Sequence, residues 1–218
     1  MDIKCVRRLI MIERRSFKVM LEWSTPSISD GDWIRKIIAE SGNMGSDVSF
    51  ANMYLLREKY DIQICSYRGF LLRHYNGYYG RKGYTFPIGT GSLEKALQAL
   101  KEDAKKRREP LCFCLLTEEQ KQMLEEVFPD TFVFESNPGD SDYIYSQEEL
   151  ANLAGKAFHK KKNHFSKFVR TYPEYRFEQI TPENIGRVRE MNELWYNEII
   201  AEGYGDDSLK EERMASAA

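Results

Sequence analysis

The stretch DIQICSYRGFLLRHY, Asp61–Tyr75, contains two strand-like apolar runs that are separated by little more than Arg68 and Gly69. Short runs rich in β-branched and aromatic residues on either side of a glycine-containing turn are typical of a β-hairpin. The stretch therefore predicts two antiparallel strands, and the rest of the fold must cover the sheet that they begin.

Helix signals lie on both sides of this hairpin. Upstream, a capped helix is predicted to end at Gly42, and a second helix is predicted over residues 49–60. Downstream, Ser92 can cap the helix LEKALQALKEDAKKR, and the capping-box patterns TEEQ and SQEE begin two more. Thr181, followed by Pro182, is predicted to cap a long helix through Ile199.

Further strands are predicted between these helices. They lie in the runs SFKVMLEW, YTFPI, LCFCLL, TFVF, DYIY and EYRFEQI. An alternation of helices and strands, with an early hairpin, indicates an α/β or α+β fold in which helices flank a mixed sheet.

Composition excludes several classes of protein. The chain has 218 residues, a formal net charge of -2, 42% apolar and 30% charged residues, as expected for a globular protein. Its best apolar run, residues 9–12, is too short for a membrane span and is flanked by arginines, which also argues against a secretion signal. Three histidines without an HExxH pattern, and four cysteines without a CxxC pattern, predict no metal site.

The stretch GKAFHKKKNHFSKFVR, residues 155–170, has six Lys and Arg side chains and no acid. Wound as a helix, it places Phe158, Phe165 and Phe168 on one stripe, with Lys161 inside that stripe. Because an unpaired ammonium is costly to bury, Lys161 must extend to solvent, meet a carboxylate or face a cavity that holds an anion.

The charge of this predicted helix has three explanations. It can be an ordinary solvated face, it can bind a phosphate or polyanion, or it can be neutralised within the molecule. An internal partner would come from acidic residues near the end of the sequence: Glu198, Glu202, Asp206, Asp207, Glu211 and Glu212.

A second candidate anion site is the turn between a predicted strand and the LEKAL helix. It consists of Gly89, Thr90, Gly91 and Ser92, whose amides would meet an anion at the positive end of the helix dipole. The alternative to an anion site is a tight connection between strand and helix, which needs glycines and a serine cap for structural reasons alone. The loop GYYGRKGY is similarly open to a nucleic-acid or a purely structural interpretation.

The run DYIYSQEELANLAGKAFHKKKNHFSKFVRTYPEYRFEQITPENI, with FPIGTGSLEKAL upstream, resembles bacterial proteins similar to the C-terminal domain of phosphatidylglycerol lysyltransferase. Many of these proteins are domains of unknown function. The resemblance implies two tandem acyltransferase-like domains of the GCN5-related N-acetyltransferase fold. In the lysyltransferases themselves, an aminoacyl group passes from charged tRNA to a membrane lipid.

The resemblance also implies a division of the chain. We expect an N-terminal extension over residues 1–16, a first acyltransferase-like domain over 17–145, basic linking helices over 146–173, and a second, truncated domain of the same type over 174–218. Relatives continue with further strands beyond the position of Met214, which is why the second domain is expected to be incomplete.

The function expected from this resemblance is transfer of an acyl or aminoacyl group from coenzyme A or aminoacyl-tRNA to an unidentified acceptor. The donor would be held by the turn at Gly89–Ser92 or by Lys160, Lys161, Lys162 and Asn163, and His164 is the candidate general base. The alternatives are a non-catalytic domain that binds tRNA or anionic lipid headgroups and an inactive truncated homologue. A cytoplasmic location, with peripheral contact to the inner membrane, is expected.

Overall fold

The computed structural model describes residues 2–5, 20–43, 45–77, 81–203 and 213, with only the backbone of residues 2–5. The strands are β1 (Asp2–Cys5), β2 (Ile62–Tyr67), β3 (Phe70–Asn76), β4 (Lys82–Tyr84), β5 (Ile88–Gly89) and β6 (Phe134–Asn137). The helices are α1 (Gly31–Ser41), α2 (Phe50–Leu55), α3 (Leu93–Arg107), α4 (Glu118–Val127), α5 (Gln147–Asn152), α6 (His159–Thr171) and α7 (Ile185–Ala201).

The chain divides into two compact units between Asp142 and Tyr143. Unit 1 is the described part of the chain up to residue 142, together with Arg213, and unit 2 is residues 143–203. Unit 1 contains all six strands and helices α1 to α4, whereas unit 2 contains α5, α6 and α7.

The predicted hairpin is confirmed and lies at the centre of unit 1. Strands β2 and β3 pair antiparallel, with Ile62 opposite Tyr75. Arg68 and Gly69 both have positive φ, at 49° and 86°, as a two-residue hairpin turn that matches strand twist requires. Strand β3 also pairs antiparallel with β4 and β5, and Tyr84 makes a parallel bridge to Phe113, so the sheet is mixed.

Helices cover both faces of this sheet. On one face, Leu72 of β3 packs with Leu97 and Leu100 of α3 and with Leu124 of α4. On the other face, the next residue along β3, Leu71, packs with residues of α1 and α2, among them Ile34 and Met53. The alternation of side chains along a strand produces these two cores. The expected α/β class, with helices flanking a sheet, is confirmed.

Several local predictions are also confirmed at the helix starts. The side chains of Ser92, Thr117 and Ser146 each accept a hydrogen bond from a backbone amide three residues later. Gly42 ends α1 in the left-handed conformation, with φ of 66°. These caps are local interactions, and their sequence signatures are correspondingly reliable.

Other predictions are wrong. The runs DYIY and EYRFEQI form no strand, and TFVF contributes only Phe134 to β6. Tyr143 and Phe177 in the first two runs are 89% and 97% exposed, and no described strand lies in unit 2 to pair with them. An extended segment without a neighbour cannot complete its backbone hydrogen bonds, so apolar alternation alone does not make it a strand.

Four more corrections concern the bounds of two helices and the absence of two predicted strands. Helix α7 begins at Ile185 rather than after Thr181, because Thr181–Asn184 form a turn in which Asn184 Oδ1 accepts from the Thr181 amide at 2.8 Å. Helix α2 is shorter than the predicted 49–60. LCFCLL forms isolated bridges instead of a strand, and the described end of SFKVMLEW, from Met20, is not a strand either.

Some predictions concern residues outside the described ranges. These are the strand residues up to Val19, the loop tyrosines Tyr78 and Tyr79, and the acidic residues Asp206, Asp207, Glu211 and Glu212. Whether the acidic residues neutralise the basic helix is therefore still a prediction.

Candidate functional site

The turn at Gly89–Ser92 connects β5 directly to the first residue of α3. Ser92 caps this helix, since its Oγ accepts from the Lys95 amide at 3.5 Å. The amides of the first helical turn have no acceptor within the helix, and they carry the positive end of its dipole. The turn thus has the local geometry that an anion site needs, in unit 1.

The two glycines of this turn have a packing reason that is independent of any ligand. A Cβ on Gly89, whose φ is 142°, would lie 2.2 Å from the carbonyl oxygen of Gly69 in the hairpin turn. A Cβ on Gly91 would lie 3.0 Å from the ring of Phe70. These contacts support the interpretation as a tight connection, and anion binding at the turn stays a prediction.

A shallow cavity of about 420 Å³ opens beside Thr90 in unit 1. Its lining includes the ring of Trp33 from α1 and one side chain of each charge, Lys36 and Glu40. Because these two formal charges cancel, the cavity adds little attraction for an anion at the turn. Sequence analysis did not find it, because its walls come from segments that are far apart in the chain.

Helix α6 in unit 2 carries the predicted lysines. Lys160, Lys161 and Lys162 are all exposed, and across residues 20–43, 45–77 and 81–203 none of them forms an ion pair. Lys161 extends over the ring of Tyr145, with Nζ 5.1 Å from the ring centroid. The sequence left three arrangements open for Lys161. The structure favours extension to solvent, with the ammonium group against the face of the Tyr145 ring.

The apolar stripe of α6 is less covered than expected. Phe158 is buried, but Phe165 and Phe168 are 54% and 44% exposed. A shared apolar stripe would normally face a core, but the last two phenylalanines do not, because unit 2 has no described sheet to receive them.

The remaining predicted residues of α6 are Asn163 and His164. Asn163 Nδ2 is hydrogen-bonded to Nε2 of His159, one turn earlier, at 3.2 Å. His164 is exposed, and within the described ranges no carboxylate pairs with it. A role for His164 as general base stays a prediction, since it would depend on a substrate that reaches the helix surface.

A buried polar cluster in unit 1 was missed by sequence analysis. Asp103 of α3 accepts hydrogen bonds from Tyr84 Oη and Arg107 Nε, both at 2.7 Å, and from Trp23 Nε1 at 3.1 Å. Burial, followed by the hydrogen bond to Asp103, raises the pKa of the Tyr84 hydroxyl far above its usual range. Because Tyr84 of β4 is one of the three donors to this carboxylate, Asp103 ties α3 to the sheet.

His74 of β3 lies against this cluster and is 0% exposed. Its ring stacks edge-on with Tyr84 at 4.7 Å, and Nε2 is 3.9 Å from Glu109 Oε2, which is too far for a hydrogen bond. Burial, followed by the charge of Arg107, lowers the pKa of His74 to about 4. Its imidazole is therefore neutral near pH 7.

None of the helices in the described residues has the length and apolarity that a membrane crossing requires. No group of three His, Cys, Asp or Glu side chains in the same residues is arranged to hold a metal ion.

Comparison with known proteins confirms the resemblance. A family model described as phosphatidylglycerol lysyltransferase, C-terminal, matches residues 38–218. The fold is similar to the crystal structure of a conserved protein of unknown function from Bacteroides thetaiotaomicron, with 30% sequence identity and a TM-score of 0.79. The match covers 90% of this chain and 65% of that chain. No curated protein matches significantly.

Proposed function

Because the chain belongs to the family of phosphatidylglycerol lysyltransferase C-terminal domains, we propose that it transfers an aminoacyl group from charged tRNA to an amine or hydroxyl acceptor. Family membership supports a transferase-related function. The donor, the acceptor and the acyltransferase chemistry are our proposal.

The observation that carries this choice of donor is the exposed basic surface of α6, where Lys160, Lys161 and Lys162 have no ion-pair partner among the described residues. Helix α6 has 13 residues and is therefore about 20 Å long. Its basic side chains lie between Lys160 and Arg170, about 15 Å apart along the axis, which is enough to meet more than one phosphate of a nucleic-acid backbone, whereas coenzyme A presents a few phosphates close together. Release of counterions from a polyanion would drive such binding.

Catalysis in this proposal depends mainly on positioning. Binding of the tRNA along Lys160, Lys161 and Lys162 would hold the aminoacyl ester in place for attack by the acceptor. His164 is the proposed base that removes a proton from an attacking amine. As the new amide bond forms, the ester C–O bond to the tRNA breaks, and the proton passes from His164 to the departing ribose oxygen. The turn at Gly89–Ser92 is a second proposed anion site, which would gain importance if the donor were acyl-coenzyme A.

A transfer assay tests the proposal directly. Labelled aminoacyl-tRNA is incubated with the protein and with acceptor mixtures that contain lipids or small amines, and the label that moves from tRNA is measured. Lys160→Ala with Lys162→Ala should lower transfer and tRNA affinity together and reduce the salt dependence of binding, by roughly one charge for each lysine that contacts a phosphate.

Lys101→Ala with Lys105→Ala is the matched control, because it removes the same charge from exposed positions of α3 in unit 1 that lie two or more helical turns away from Gly89–Ser92. Equal losses from the two double variants would contradict a specific role of α6. Turnover of acyl-coenzyme A without turnover of aminoacyl-tRNA would overturn the proposed donor.

A second candidate function is binding of tRNA or anionic lipid headgroups without catalysis. The exposed position of His164, without a described carboxylate partner, favours this candidate, because no acid–base pair is assembled around the ring. Salt-sensitive binding to tRNA or to phosphatidylglycerol vesicles, with no transfer from either donor, would support it. We propose a cytoplasmic location for either candidate, because tRNA is a cytoplasmic ligand, with peripheral contact to the inner membrane where the ligand is a lipid headgroup.

A further inference from the structure

The shallow cavity of unit 1 has a wall of mixed charge. We call it the α1 cavity, and it is lined by Trp33, Lys36, Ile37 and Glu40 of α1 and by Ser66 and Thr90. Its volume of about 420 Å³ lies within the range of small-molecule pockets. The residues of α1 that line it follow the spacing of one helix face, so their side chains share one wall.

The two charged side chains of this wall are not paired with each other. Lys36 and Glu40 are one helical turn apart, a spacing at which opposite charges on a helix are close enough to interact. Both are exposed, and across residues 20–43, 45–77 and 81–203 neither forms an ion pair. Each charge can therefore meet a group that enters the cavity.

The position of Glu40 favours a positively charged partner. Glu40 lies in the last turn of α1, which ends at Ser41 and contains no basic residue. The helix dipole places partial negative charge at this end, so a carboxylate here is slightly destabilising. An ammonium group from a ligand would offset the repulsion.

Trp33 supplies a fixed aromatic part of the same wall. Its Nε1 donates to Asp30 Oδ1 at 3.0 Å, and the other oxygen of Asp30 accepts from the Ser27 amide at 2.8 Å. These bonds hold the indole in place at the start of α1. A cation is attracted to the face of an indole, and Ile37 adds aliphatic surface beside it.

We propose that the α1 cavity binds a small free zwitterion, whose acidic group meets Lys36 and whose ammonium group meets Glu40 and the ring of Trp33. This chemical class includes free amino acids and solutes such as phosphoethanolamine. Glu40 would repel a simple anion and Lys36 would repel a simple cation, so the wall matches a ligand that carries both charges. The inference is independent of the proposed transfer, which depends on α6 of unit 2.

Three related probes test whether both charges are recognised. Leucine carries both, leucine methyl ester lacks the negative charge, and N-acetylleucine lacks the positive one. NMR titration of the full chain follows the indole N–H signals of its three tryptophans, Trp23, Trp33 and Trp195, of which Trp33 lines the cavity. Leucine should shift the Trp33 signal and leave the other two unchanged. Each single-charge analogue should bind about fivefold more weakly.

Two substitutions test which side chain meets which charge. Lys36→Met should weaken the binding of leucine but not of leucine methyl ester, whereas Glu40→Gln should weaken the binding of both. Lys105→Met and Glu126→Gln are the matched controls, because they remove the same charges from exposed positions of α3 and α4 that do not line the cavity. Neither control should change the affinity for any of the three probes.

Several outcomes would overturn the proposal. Equal affinity for the three probes would show that recognition is purely apolar, and equal losses in the variants and their controls would show a general effect of charge. An unchanged Trp33 signal with both leucine and phosphoethanolamine would exclude a free zwitterion. If the protein then sedimented with phosphatidylethanolamine vesicles, the ligand would be a lipid surface instead. Tighter binding of phosphoethanolamine than of leucine would support the proposal and identify the acidic group as a phosphate.

Discussion

Unit 1 and unit 2 differ in how much apolar surface they bury. In unit 1, helices cover both faces of a sheet, and two clusters of buried side chains result. In the described residues of unit 2, Phe158 and Tyr196 are the buried hydrophobic side chains, while large ones such as Phe177, Leu194 and Trp195 are exposed. The difference teaches that the sheet of unit 1 gives its helices apolar surface to cover on both faces, whereas the described helices of unit 2 have no sheet to cover and bury few apolar side chains.

The largest expected effect is loss of a core ring in unit 1. Phe113 is 0% exposed and packs with Tyr84 and Phe132, so Phe113→Ala should lower the free energy of unfolding by about 3–5 kcal/mol. The same truncation on α6, Phe165→Ala, should cost less than about 1 kcal/mol, since the ring is 54% exposed. Urea unfolding of both variants measures the contrast, and similar costs would refute it.

The next largest effect is a loss of stability in acid, which arises from a residue of unit 1. The pKa of His74 is about 4 in the folded chain, and an unfolded histidine has a pKa of about 6.5. The unfolded state therefore binds more protons between these values, and stability falls as the pH is lowered from 6.5 to 4, by up to about 3 kcal/mol from this group. Asp103, Arg107, Glu109 and Lys82 act on the same ring.

Urea unfolding across this pH range measures the effect. His74→Gln should flatten the part of the profile that His74 causes, whereas His159→Gln, on the exposed surface of unit 2, should keep it. If the two variants gave the same profile as the wild type, the acid sensitivity would have another source.

The smallest effects come from glycine. Gly89→Ala in unit 1 should destabilise the protein by about 2 kcal/mol or more, because its Cβ would overlap the Gly69 carbonyl oxygen. Gly186→Ala in unit 2 should stabilise α7 by about 0.5 kcal/mol, since a Cβ there meets nothing within 4 Å. Thermal unfolding measures both, and the comparison fails if the two substitutions change stability in the same direction.

The same contrast explains what could be predicted from sequence. The hairpin turn at Arg68–Gly69 and the caps at Ser92 and Thr117 are local, so their residues specify them directly. The runs DYIY and EYRFEQI have apolar alternation of the same kind, but a strand also needs a neighbour, and a neighbour cannot be read from the run itself.

The candidate sites follow the same rule. The basic character of α6 could be predicted, because its lysines follow one another in the sequence, and the turn at Gly89–Ser92 is likewise a run of consecutive residues. The cluster around Asp103 joins residues that are up to 80 positions apart, such as Trp23, and no spacing pattern reveals it. The contact between the rings of Phe168 and Tyr175, at 5.3 Å, could not be predicted either, because it depends on the turn after Pro173.

The tryptophans give the two units separate optical reporters. The indole of Trp23 donates to Asp103 and faces Arg107 within unit 1, whereas Trp195 is 57% exposed on α7. Indole emission shifts to longer wavelength as its ring becomes hydrated, so the fluorescence of Trp23 responds when the network around Asp103 opens. Replacement of Trp195 by phenylalanine removes the contribution of unit 2 and leaves a spectrum that follows unit 1.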